Sequence, residues 1–128
     1  MEYGLSRTIA RPFEEVSADV RTALTEHGFG IVSEIDMQAT LRNKIGVEID
    51  PQIILGACNP QYAHRSLQIE PSIGLLLPCN VVIRKTEAGT VVEMINPEML
   101  VQITDNPEMK QIADEVTENL AAALASLK

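Results

Sequence analysis

Near the end of the chain Met109, Ile112, Ala113, Val116, Leu120, Ala123, Leu124 and Leu127 recur at helical spacing, with acids between them. That spacing predicts a long helix with one apolar and one solvated face, opened by Asn106-Pro107-Glu108. A helix of this kind must bury its stripe against another element, so it constrains everything before it. A shorter stripe, Phe13, Val16, Val20 and Leu24, predicts a second one-sided helix near the start. Pro12 suits its first turn, Glu14 and Glu15 its positive end, and Gly28 its left-handed exit. Two such helices need a common apolar floor.

The residues between them supply strands. Tyr3 to Ala10, Gly30 to Ile35, Ile53 to Cys58, Cys79 to Thr86 and Thr90 to Ile95 read as five extended runs. The third is beta-branched and almost wholly apolar, which predicts burial on both faces. Glu87-Ala88-Gly89 joins the last two as a hairpin, with Gly89 supplying the positive φ. Short helices are expected from Met37 to Lys44, between Asp36 as cap and Gly46 as stop, and from Pro60 to about Ile69, capped by Asn59. The apolar run Gly74 to Leu77 is a strand at most, and Pro97 to Ile103 one helical turn. The expected fold is therefore α+β, a two-layer sandwich in which helices cover one face of a mainly antiparallel sheet. It is expected as a single domain over residues 1–128.

Charge and aromatic content narrow the partners. Ten basic against eighteen acidic side chains give a net charge of -8, which opposes binding to a phosphate backbone. Aromatics make up 3% of the chain and Trp is absent, so the core is aliphatic and no platform exists for stacking bases. Nucleic acid is not an expected partner. Nor is a membrane, because no apolar run approaches bilayer length and MEYGLSRTIARPFEE lacks a signal core. A cytoplasmic location is expected, and there two cysteines are free thiols rather than a bridge.

Those thiols carry the candidate chemistry. In ILGACNPQYAH, Cys58 ends an apolar run immediately before the helix cap Asn59; in GLLLPCNVVIR, Cys79 and Asn80 open the next strand after a Pro. Free amides and the dipole at a helix start lower a thiol's pKa, whereas a buried cysteine behaves as a small inert hydrophobe. Both readings fit Cys58. If the two strands are antiparallel neighbours, Cys58 and Cys79 meet across the sheet and form a pair able to oxidise reversibly or to hold a soft metal ion such as Cu(I). His64 shares a helix face with Pro60 and is a candidate base or third ligand, or else a solvated surface residue. The ligand-site candidates are thus Cys58, Asn59, His64, Cys79 and Asn80, with Cys58 and Cys79 as metal ligands. No cofactor is specified. G-x-G-x-x-G, P-loop, H-E-x-x-H and G-x-S-x-G patterns are absent from the chain.

Three ordered segments, EHGFGIVSEIDMQATLRNKIG, ILGACNPQYAHRSL and EPSIGLLLPCNVVI, followed by VVEMINPEML and the terminal helix, resemble the bacterial and archaeal family called domain of unknown function 302. The resemblance covers nearly the whole chain. It implies a strand–helix–four-strand–helix order, some likeness to the TATA-box-binding-protein fold, and often a dimer, but no settled activity. Three functions stay open: a homodimeric module that binds or senses a small molecule or metal ion near the two cysteines, a thiol-redox enzyme using Cys58 and Cys79, and an interaction domain whose sheet face or edge meets another copy.

Overall fold

Both apolar stripes settle on one floor. A computed structural model describes residues 2–128. In chain order it contains β1 (Gly4–Ile9), α1 (Phe13–Glu26), β2 (Gly30–Asp36), α2 (Met37–Ile45), β3 (Gln52–Cys58), α3 (Pro60–Ile69), β4 (Cys79–Thr86), β5 (Gly89–Ile95), α4 (Glu98–Thr104) and α5 (Lys110–Ser126). The strands form one sheet in the order β1-β5-β4-β3-β2, with every adjacent pair antiparallel. Helices α1, α5 and α3 lie against one face of it. The protein is an α+β sandwich.

Alternation along the strands separates the two faces. Leu55, Val81 and Met94 are register partners across β3, β4 and β5, as are Ile83 and Val92 across β4 and β5, and all are buried. Above them sit Val16, Val20 and Leu24 of α1 and Ile112, Val116, Leu120 and Leu124 of α5. All eight residues of the terminal stripe are buried. Arg7 on β1 fastens the far end of α5, donating to the carbonyl of Leu124 at 3.0 Å and to that of Leu127. Those carbonyls lie where a helix has no partners of its own.

Local chemistry sets the boundaries. Asp36 accepts a hydrogen bond from the Ala39 amide at 2.9 Å and starts α2, which Gly46 ends at φ 68°. Asn106 accepts from the Glu108 amide at 3.0 Å, opening a 3₁₀ turn over Pro107–Met109 that runs directly into α5. Gly89 is required twice over: its φ is +124°, and a Cβ there would meet the backbone of Ile9 and Ala10.

Three expectations need correction. The run ending at Leu77 is not a strand but a 3₁₀ helix over Pro71–Leu76, whose Ile73 joins Leu100 and Met109 in a small satellite core. The segment after Pro97 makes a helix of seven residues, longer than one turn. β3 is not buried on both faces: Leu55, Gly56 and Ala57 are buried, but Ile54, on the face away from the helices, is only half-buried. No helix among the described residues is long and apolar enough to cross a membrane.

If α5 is the seal over the sheet, Leu120→Ala lowers the unfolding free energy by about 2–5 kcal/mol, because its methyls leave a cavity at a fully enclosed position. Ile103→Ala, at a position 59% exposed, is expected to change it by about 0.5 kcal/mol or less. Urea denaturation of both variants checks the contrast.

Candidate functional site

β3 and β4 are antiparallel neighbours, and Ala57 is the register partner of Cys79. Cys58 stands one residue beyond that partner. Strand spacing and rise separate the two cysteine backbones by about 6 Å. The thiols are free. They line the same small cavity, about 30 Å³ in volume, between the sheet ends and the helix layer.

Each wall has a structural origin. Ala57 and the two cysteines form the floor; Phe29 closes one side; Tyr62 and Ser66 of α3 close another. Leu77, Pro78 and Leu100 come from the satellite core side, and α5 supplies Ile112, Ala113 and Val116. Gly56 permits the close packing beside this point, since a Cβ there would collide with the Ser33 hydroxyl and the Pro78 ring.

The side-chain oxygens on the walls have partners already. Asn59 caps α3: its Oδ1 accepts from the Gln61 amide at 3.1 Å and from the Tyr62 amide at 3.2 Å. The amides at this helix start are therefore occupied rather than aimed at the Cys58 sulfur. Ser66 donates to the Tyr62 carbonyl at 2.8 Å, and the Tyr62 hydroxyl accepts from Asn119 at 3.4 Å. What faces the cavity is mainly apolar surface. A volume this small admits one or two waters, but a buried water needs about two to four polar partners, which these walls do not provide.

Burial acts strongly on Cys79, which is 8% exposed. Its thiol pKa is pushed up to about 11, first by desolvation of the thiolate and second by the neighbouring Cys58. At neutral pH Cys79 is a protonated thiol.

The sequence-derived candidates thus divide. Cys58, Asn59 and Cys79 come together at the cavity. His64 does not: it is exposed on α3 and lines no part of it. Asn80 follows Cys79 in β4, so strand alternation turns it to the opposite face, where it borders two open hollows. No group of three or more His, Cys, Asp or Glu side chains suited to a metal occurs among the described residues. Phe29, Tyr62, Pro78 and Leu100 were not singled out from the sequence. They reach the cavity from four separate segments, and no local motif marks them.

Sheet, helix layer and cavity define a small α+β sandwich domain with a thiol-lined pocket at one end of its sheet. The chain belongs to the family described as Domain of unknown function DUF302, whose model matches residues 5–127. A crystal structure of an uncharacterized conserved protein DUF302 from Bacillus stearothermophilus is similar over 100% of both chains, with a TM-score of 0.92 and 28% sequence identity. No curated protein matches.

The raised Cys79 pKa has a consequence for stability. Between pH 9 and about 11 the unfolded chain loses this proton while the folded chain keeps it, so stability falls as pH rises. The contribution fully present below pH 9 is roughly 3 kcal/mol, on the order of 1.4 kcal/mol per pKa unit. The difference between wild type and Cys79→Ala should shrink by about that amount across this range. Chemical denaturation at several pH values measures it.

Proposed function

We propose that this protein is a binding or sensing module for a single soft metal ion, Cu(I), held between Cys58 and Cys79. One observation carries the reading: two cysteines distant in sequence line one small, largely apolar cavity in which the side-chain oxygens of Asn59, Tyr62 and Ser66 already have partners. The size favours an ion. Organic ligands occupy pockets of about 300–1,000 Å³, and this one is about 30 Å³. The donor set favours Cu(I) over Zn(II), because thiolates select the softer ion and structural zinc takes four ligands.

Binding displaces the Cys79 proton, and a coordinated thiol is held as thiolate. Apparent affinity therefore rises at least about tenfold per pH unit below the thiol's pKa. The thiol-redox reading draws on the same pair but is weaker. An attacking or resolving sulfur acts as thiolate, and burial keeps Cys79 protonated at neutral pH.

Anaerobic titration with Cu(I) against a chromogenic chelator tests the proposal. One equivalent should bind, with uptake lost in Cys58→Ser and in Cys79→Ser, and the affinity should climb with pH. Uptake no better than the chelator's, or unchanged in Cys79→Ser, would contradict it.

A further inference from the structure

The thiol cavity has an outer neighbour. Leu77, Pro78 and Leu100 line the cavity, and the same three side chains line a hollow of about 270 Å³ beside α4. A wall one side chain thick therefore divides the two spaces. The hollow is open to solvent, with Leu75 and Ile103 exposed around it. Behind the wall Cys79 is buried, so a ligand reaches its sulfur only when part of the enclosure moves.

The three side chains of the wall are held differently. Pro78 is wedged against β3, where a Cβ on Gly56 would collide with its ring. Leu77 precedes it directly and is fixed with it. Leu100 comes instead from α4, a helix of seven residues that is too short to persist without its packing.

The segment carrying Leu100 is a strap fastened at both ends. At one end the Asn96 amide donates to the Tyr3 carbonyl at 2.9 Å, and Asn96 Nδ2 donates to the Glu2 carbonyl at 3.2 Å. At the other end Asn106 Nδ2 donates to Glu70 Oε1 at 3.3 Å. Between them, among the described residues, side-chain hydrogen bonds tie α4 to α5 through Glu98 alone. Its Oε2 accepts from Lys110 Nζ at 3.1 Å, and its Oε1 lies 3.3 Å from the Thr117 hydroxyl. Lys110 is exposed and also pairs with Asp114, so the latch is weak. Leu100 itself packs with Ile73 and Met109 in a satellite core of three buried side chains, apart from the main core. A small core behind an exposed latch is a part of a fold that opens at low cost.

We propose that α4 is the gate of the thiol cavity, with Leu100 as its plug and the Glu98–Lys110 pair as its latch. Displacement of the strap between Asn96 and Asn106 joins the hollow to the cavity and brings solvent and ligands to Cys79. As the entry route for Cu(I) this rests on the reading above. As the route to the sulfur it does not, and its test uses no metal, so either can fail while the other stands.

Alkylation of the full chain by iodoacetamide at fixed pH, with each cysteine followed by peptide mass, tests the gate. Leu100→Ala should speed modification of Cys79 about tenfold or more, because loss of the plug lowers the cost of opening. Glu98→Gln leaves the satellite core unaltered and gives a second test that does not depend on the folding of Leu100→Ala; it should speed Cys79 about two- to threefold. In the wild type and both variants the Cys79 rate should depend weakly on low urea, since a local opening exposes little surface. An unchanged Cys79 rate in either variant would overturn the proposal, as would a rate rising with urea as steeply as global unfolding. Acceleration of Cys58 with Cys79 still protected would place the entry past Cys58 and overturn it as well.

Discussion

The packing of α5 on the sheet is the contact on which the rest of this protein depends. Six apolar side chains of the terminal stripe, Ile112, Val116, Leu120, Ala123, Leu124 and Leu127, share one core with the inward residues of β3, β4 and β5, and no aromatic-rich core exists to substitute for them. That contact fixes which face of each strand is inside. It thereby turns Cys79 inward and Asn80 outward, and it places Ile112, Ala113 and Val116 on the wall of the thiol cavity. Arg7 then anchors the helix end to the opposite edge of the sheet.

One-sided burial gives the two faces different chemistry. On the helix side, desolvation holds Cys79 as a neutral thiol and the cap at Asn59 uses the amides that would otherwise favour a thiolate. A site there binds by displacing protons, which suits an ion with high affinity for sulfur and does not suit rapid thiol exchange. On the other side, the charged strand residues among those described are Arg84 and Glu93, which pair at 3.0 Å.

Much of this was legible in the sequence, for definite reasons. Helical periodicity in Val16, Val20 and Leu24, and in the terminal stripe, identified the two covering helices. Asp36, Asn59 and Asn106 marked helix starts because their side chains accept backbone amides there. Pro71–Leu76 escaped because a short apolar run has no usable period, and Ile53 and Ile54 are equally apolar although only one faces the core. The meeting of Cys58 and Cys79 depended on strand order, which no local residue specifies. The outward turn of Asn80 was available: Cys79, Val81 and Ile83 alternate inward, so Asn80 cannot. His64 shared a helix face with Pro60, but that face is solvated.

Native-state hydrogen exchange of α5 against β4 tests most directly whether the sheet's inner face exists only under that helix. If it does, the amides of Leu120, Ala123 and Leu124 and those of Val81 and Ile83 exchange with one free energy, equal to that of global unfolding. Exchange of the α5 amides at a distinctly lower free energy, with β4 still protected, would show that the sheet holds its core without the helix and would contradict the account.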